Sequence, residues 1–166
     1  MIQENSTSQT LINNNSQVNP DNYLPASSQH FHITGRGNKT ALDLLAEQTS
    51  LSKQLLKNYA QKGSVWIQRN AADNQSRKPE RLRRLKKVVA EQDTLDFYYN
   101  PQLLNQEPAP PTLVADFIDY SVWIKPRGML SQGSKWADHT ALYRWIEINY
   151  QPNGKIRQAW IVHRLD

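Results

Sequence analysis

The pattern of apolar and polar positions becomes regular near residue 40, where it predicts a helix. Ala41, Leu44 and Leu45 recur at the spacing that places side chains on one helical face. Thr40, followed three residues later by Asp43, has the arrangement of a capping box, which satisfies N–H groups at a helix start. We therefore expect ordered structure to begin at about residue 40.

A second apolar stripe predicts another helix from about Ser52. Lys53 and Lys57, four residues apart, share a face of this helix away from its leucine and tyrosine side chains. Gly63 is suited to the C-terminal cap, because glycine tolerates the backbone conformation found there. The apolar residues that follow predict a strand over 64–68.

The last third of the chain predicts a mixed pattern of strands and a helix. Short strands are expected at 113–116 and 121–125, and the proline and glycine at 126–128 should bend the chain sharply. Thr140 is expected to cap a helix that runs to about Tyr150. The fold class predicted from these elements is α+β, with a helix–helix–strand unit followed by a mixed or antiparallel sheet.

The two remaining stretches have different compositions. Residues 1–36 are rich in Asn, Gln and Ser and are predicted to be disordered. His30 and His32 lie within them, but no other ligand type is nearby in sequence, so no metal site is predicted. The predicted organisation is a disordered tail (1–36), a first module (37–100), a proline-rich linker (101–111) and a second unit (112–166).

Composition narrows the possible functions. The formal net charge is +5 and the pI is about 9.5, which favours an anionic partner such as nucleic acid. The absence of cysteine excludes disulfides, thiol catalysis and cysteine-bound zinc, and it suits a cytoplasmic protein. No apolar run of about 18 residues is present, so no transmembrane helix is expected. We expect a monomer without a membrane partner.

The most basic stretch is 69–87, which contains eight basic and two acidic residues. Leu82, Leu85 and Val89 are spaced to anchor it, with its charges directed outward. One interpretation is a solvated loop; the other is a patch that binds RNA by neutralising phosphates. The candidate contacts are Arg81, Arg83, Arg84, Lys86 and Lys87.

The final residues combine an apolar run with charge. Ile161 and Val162 predict the end of a buried strand, and Arg164 and Asp166 follow it. Such a pair suits a structural ion pair at a strand end. It also suits chemistry on an anionic substrate, because arginine holds a carboxylate ionised and binds phosphate with two donors.

Two stretches resemble the RluA-type pseudouridine synthases. Residues 161–166, Ile-Val-His-Arg-Leu-Asp, are similar to the centre of that family's active-site motif, where the aspartate is catalytic. Residues 121–129 resemble the family's strand followed by Lys-Pro-x-Gly and an apolar residue. The resemblance implies that Asp166 is the catalytic carboxylate. It also implies that Arg164 fills the space of a flipped base or pairs with Asp166.

The 41–99 region resembles the alpha-L RNA-binding motif, which occurs in a ribosomal protein and in many pseudouridine synthases. The similarity lies in Leu-Asp-Leu-Leu at 42–45, Leu-Ser-Lys at 51–53 and Lys-Gly-Ser-Val at 62–65. In that motif the second helix presents basic residues to RNA, which implies this role for Lys53 and Lys57. The region departs from the motif after residue 67, where 69–87 replaces the usual Asn-Gly turn.

Together the resemblances imply an enzyme that isomerises uridine to pseudouridine in ribosomal or transfer RNA. Such a reaction needs a carboxylate and no metal or nucleotide cofactor. Lys125, in the Lys-Pro-x-Gly stretch, is either a strand-end support or a phosphate contact. The family motif continues beyond its aspartate, so we expect the 166 residues alone to be inactive. The alternative is a non-catalytic RNA-binding protein. A glycosidase would need a second carboxylate about 5–10 Å from Asp166.

Overall fold

The computed structural model describes residues 28–70, 77–117, 119–155 and 157–162. Its larger sheet has four antiparallel strands in the spatial order β1-β4-β2-β3. The strands are β1 (Gln29–Thr34), β2 (Val65–Gln68), β3 (Glu80–Arg81) and β4 (Thr94–Tyr99).

Two helices, α1 (Ala41–Gln48) and α2 (Lys53–Gln61), pack against this sheet. Both begin where the sequence predicts. The Thr40 hydroxyl accepts from the Asp43 backbone N–H at 3.2 Å, and the Ser52 hydroxyl accepts from the Leu55 N–H at 3.2 Å. These bonds satisfy N–H groups that a helix start otherwise leaves unpaired.

The main core lies between the two helices and one face of the four-stranded sheet. It is closed by the 82–89 segment, which has no regular secondary structure along most of its length. The predicted anchoring of this segment is confirmed, because Leu82, Leu85 and Val89 are buried. Fully buried members of the core include Leu44, Leu45, Leu56, Val65, Ile67, Val89, Leu95 and Phe97.

The expected disordered tail is wrong for its last residues. Residues 29–34 form β1, which pairs along its whole length with β4 in the register Phe31↔Phe97. Phe31 and Ile33 alternate with polar residues and face the core. The strand is therefore stabilised by these two inward side chains and by its pairing with β4, which is distant in sequence. The rest of the predicted tail, 1–27, lies outside the described residues.

The stretch predicted as a proline-rich linker (101–111) is helical at its start. Asn100 caps α3 (Pro101–Leu104) by accepting from the Leu103 N–H at 3.0 Å. Leu104 is fully buried in the main core. Further along, Ala137 also joins this core, so residues on both sides of 105–111 share it.

The described part of the second unit contains a hairpin, one α-helix and a short 3-10 helix, Pro152–Gly154. Strands β5 (Thr112–Phe117) and β6 (Tyr120–Ile124) pair antiparallel with an irregularity between Leu113 and Ala115, and α4 spans Leu142–Asn149. The predicted α+β class is confirmed at this level.

Two predictions for the second unit are wrong. Ala141, not Thr140, precedes α4, because the Thr140 carbonyl is held by the Leu130 N–H at 2.9 Å and the helix starts one residue later. Residues 157–162 form no strand, and Val162 is 95% exposed. A strand needs a neighbour that supplies backbone partners, and none of the described residues pairs with this stretch.

Candidate functional site

Helix α2 presents one apolar and one polar face. Leu56 and Tyr59 are buried against the core, whereas Lys53 and Lys57 are exposed on the opposite side. Lys53 donates to Asp43 at 2.8 Å, and this hydrogen bond, followed by the one from Thr40, lowers the pKa of the Asp43 carboxyl. Lys57 has no ion-pair partner among the residues that the structure describes.

The 82–89 segment runs from the end of α2 to the start of α1. At one end the Gln61 side chain donates to the Arg83 carbonyl at 2.9 Å. At the other, the Ala41 N–H donates to the Lys87 carbonyl at 2.9 Å. Between these points the side chains of Arg84, Lys86 and Lys87 are exposed. We name these three residues the cationic ridge.

The ridge lies close to the basic face of α2. Lys57 precedes Gln61 by four residues, so the two share a helical face, and Gln61 is bonded to the residue directly before Arg84. No ion pair engages Arg84, Lys86 or Lys87 within the described part of the chain. The arrangement therefore leaves a row of positive charge available to an anionic polymer.

Arg81 and Arg83 lie elsewhere, and the expectation that their charges point outward is wrong. Both bind the carboxylate of Asp138, whose side chain is 2% exposed: Arg81 Nε at 3.3 Å and Arg83 Nη2 at 2.6 Å. Arg81 also lies 4.3 Å from the ring centre of Trp66 and donates to the carbonyls of Gly63 and Ser134. Their donors thus hold the protein together, and any contact of either with RNA stays a prediction.

Burial shapes the electrostatics of this cluster. It lowers the pKa of the Arg81 guanidinium, against the raising effect of Asp138, yet arginine remains charged in proteins. The Tyr143 hydroxyl donates to Asp138 Oδ2 at 3.1 Å, and burial followed by the Asp138 charge raises the pKa of that phenol. Asp138 was missed in the sequence, because nothing in its local pattern connects it to arginines that are 55 and 57 residues away.

Lys125 closes the bend that follows β6. Its ammonium donates to the Met129 carbonyl at 2.8 Å, across a turn in which Gly128 has φ +83°. This contact uses one of three N–H donors, so it supports the strand-end role and leaves donors for a second contact.

A groove of about 600 Å³ lies between β6, α4 and residues 157–162. Trp123 forms part of its wall and packs edge-on against Tyr150, with ring centres 5.0 Å apart. Lys125 and Arg157 also line it. Aromatic faces beside cations are a combination that binds bases and phosphates.

Asp116 connects β5 to the residues that follow α4. It accepts from the Tyr150 hydroxyl at 2.7 Å and from Arg157 at 2.8 Å. The hydrogen bond from Tyr150, followed by the contact with Arg157, lowers the pKa of the Asp116 carboxyl.

The candidate catalytic pair, Arg164 and Asp166, lies outside the described residues.

Sequence reasoning also missed the surroundings of His30 and His32. Asp96 of β4 lies beside both histidines, because β1 and β4 pair across more than 60 residues of sequence. The alternation of histidine with Phe31 and Ile33 was the available signal, since it places both rings on the outer face of a strand.

A scan against models of known protein families and a search of the curated proteins both find no match to this chain. The described helices are all too short or too polar to cross a membrane. The two resemblances therefore rest on their motifs.

Proposed function

We propose that this chain is part of an RNA pseudouridine synthase that acts on ribosomal or transfer RNA in the cytoplasm. The RNA-binding half of the proposal is carried by one observation, the cationic ridge beside the basic face of α2. The ridge belongs to a helix–helix–strand unit of the kind expected for an alpha-L module, and its three charges are not used for internal ion pairs among the described residues.

The proposed catalytic half rests on the two ordered motifs. The uridine leaves its stack, because its reacting atoms are otherwise shielded. Asp166 then acts as nucleophile or base while the bond from the sugar to the ring nitrogen breaks. A bond to a ring carbon forms in its place; that carbon releases its proton to solvent, and the freed ring nitrogen takes up a proton. Arg164 occupies the vacated space or pairs with Asp166. No metal or organic cofactor has a part in this scheme.

The groove beside Trp123 supports a nucleotide-binding role for the second unit. It combines an aromatic wall with Lys125 and Arg157, and residues 157–162, which immediately precede the His-Arg-Leu-Asp stretch, form one of its sides. Stacking on an aromatic side chain stabilises a bound base by about 1–3 kcal/mol. Such a site suits a uridine that has left its helix.

The RNA-binding half is tested by changing Arg84, Lys86 and Lys87 together to alanine. We expect weaker binding to structured RNA, and a slope of log affinity against log salt that is smaller by roughly two to three, since each phosphate contact contributes about 0.7–0.9. The matched control changes Arg36, Lys135 and Lys155 to alanine. These side chains are also exposed, so the net charge changes equally. Equal losses in both variants would mean that the ridge has no particular role.

The catalytic half is tested by release of tritium from RNA labelled at the ring carbon, with the protein translated from its complete reading frame. Activity that Asp166→Asn abolishes, with RNA affinity unchanged, supports the assignment. Full activity of Asp166→Asn would refute it. RNA binding without any tritium release from the unmodified protein would favour the alternative, a non-catalytic RNA-binding protein.

A further inference from the structure

Three side chains with metal-ligand chemistry meet on the outer face of the four-stranded sheet. His30 and His32 are two residues apart in β1, so both point away from the core that contains Ile33. The register of the sheet places His32 directly opposite Asp96 on β4. The three groups are therefore positioned by two paired strands, which are more rigid supports than loops.

The distances between the ligand atoms suit one small ion. Asp96 Oδ1 is 2.8 Å from His30 Nε2 and 2.8 Å from His32 Nδ1, and all three atoms lie within 4.8 Å of one another. Around a tetrahedral ion with bonds of about 2.0–2.1 Å, two ligand atoms are about 3.3–3.4 Å apart. Small rotations of exposed side chains cover the difference, since the histidine side chains are 43% and 60% exposed.

In the absence of an ion, Asp96 Oδ1 accepts from both rings, so each ring must carry its proton on the nitrogen that faces the carboxylate. A divalent ion would bind the same three atoms, and each imidazole would stay neutral with its proton on the other ring nitrogen. Two imidazoles and a carboxylate suit zinc and its neighbours in the transition series, whereas magnesium and calcium prefer oxygen ligands.

An aromatic pair orients the first histidine. The His30 ring stacks on Tyr98, with centres 4.3 Å apart and planes 2° from parallel, and Tyr98 packs edge-on against Trp136 at 5.4 Å. Groups that fix a ligand's ring around a metal site often contribute strongly to its affinity. Here stacking supplies that orientation.

We propose that His30, His32 and Asp96 bind one zinc-class divalent ion, with a fourth coordination position open to solvent. Because β1 is an edge strand of the sheet and β4 is its neighbour, the ion ties this edge strand to the centre of the sheet. The site is independent of the proposed action on RNA.

The test uses the untagged full chain, stripped of metal with a chelator and dialysed. Isothermal titration with Zn²⁺ should give one ion per chain, and Co²⁺ should give the visible absorption of a tetrahedral complex. His30→Gln, His32→Gln and Asp96→Asn should each weaken Zn²⁺ binding at least tenfold, a loss that even changes outside the ligand set cause. Glu47→Gln removes an exposed carboxylate elsewhere in the same unit and should leave affinity unchanged.

A second measurement covers the case in which a variant folds poorly. Zn²⁺ should raise the melting temperature of the unmodified protein, because it binds the folded state, and should raise that of His32→Gln much less. His32 is the most exposed of the three side chains, so its substitution disturbs packing least. Absence of Zn²⁺ binding by the unmodified protein at micromolar concentration would overturn the proposal. Binding that survives all three substitutions would also overturn it.

Discussion

Arg83 and Asp138 form a two-point ion pair across 55 residues of sequence. Nη1 and Nη2 of the guanidinium donate to the two carboxylate oxygens at 3.2 and 2.6 Å. Arg83 belongs to the 82–89 segment, which closes the main core, and Asp138 lies in a loop before α4. The pair therefore joins two parts of the chain that local sequence patterns assign to separate units.

We expect Asp138→Ala to lower the free energy of unfolding by about 3 kcal/mol. The change leaves Arg81 and Arg83 partly buried without a counter-charge, which is the costly way to break such a pair. Urea denaturation measures it. Glu47→Ala, which breaks an exposed pair with Lys39, should cost less than about 1 kcal/mol. Similar losses for the two variants would show that the Asp138 cluster contributes no more than a surface pair.

Gly63→Ala should destabilise the protein more than Gly37→Ala. Both glycines have positive φ, +88° and +56°, so alanine costs about 1–2 kcal/mol at either position. Only at Gly63 does an added Cβ also collide with the carboxylate of Asp138, whereas at Gly37 it meets open space. The excess should shrink in an Asp138→Ala background, and a double-mutant cycle measures that coupling. An unchanged excess would contradict this explanation.

Acid should release the contacts of Asp116. Its pKa is lowered in the folded protein, so its contribution to stability is complete above the unfolded value, about 3.9, and is lost as pH falls through the folded value. Stability of the unmodified protein should therefore fall more steeply below about pH 4 than that of Asp116→Asn. Fluorescence of Trp123, which packs on Tyr150, provides the signal. Asp119→Asn, in the same hairpin, is the control, and identical acid profiles for all three proteins would refute the prediction.

Ser52→Ala should cost about 1 kcal/mol of unfolding free energy, because the hydroxyl that accepts from the Leu55 N–H is lost. Ser52→Gly should cost only a few tenths, since glycine is tolerated at the residue before a helix. Thermal or urea unfolding distinguishes the two. A cost near zero for Ser52→Ala would mean that the hydroxyl does not cap α2 in solution.

Signals that act over a few residues predicted structure well here. Thr40 with Asp43, Ser52 and Gly63 each determine a helix end through bonds to near neighbours, and the structure has them as expected. The failures involve partners that are distant in sequence. β1 depends on β4, more than 60 residues away, and the inward position of Arg81 depends on Asp138, 57 residues away.

In the candidate site too, features set by nearby residues were predictable from the sequence, and features set by distant residues were not. Exposure of Arg84, Lys86 and Lys87 follows from their alternation with buried Leu82, Leu85 and Val89, which is visible in the sequence. Which arginines of the same stretch turn inward is decided by a buried carboxylate that no local pattern reveals. The sequence around His30 and His32 is polar and contains no sign of Asp96, so the proximity of the two histidines to this carboxylate was not predicted.

The burial of Leu104 and Ala137 in the core of the first unit bears on where the chain can be cut. A piece that ends at residue 100 would expose the apolar surface that these side chains cover. It would also lose two hydrogen bonds, from the Asp138 N–H to the Lys62 carbonyl and from the Trp66 indole to the Lys135 carbonyl. Grafting the helix–helix–strand unit onto another protein therefore requires the chain through about residue 141. A gene duplication or fusion that carried less of the chain would encode a unit whose apolar core is exposed to solvent on one side.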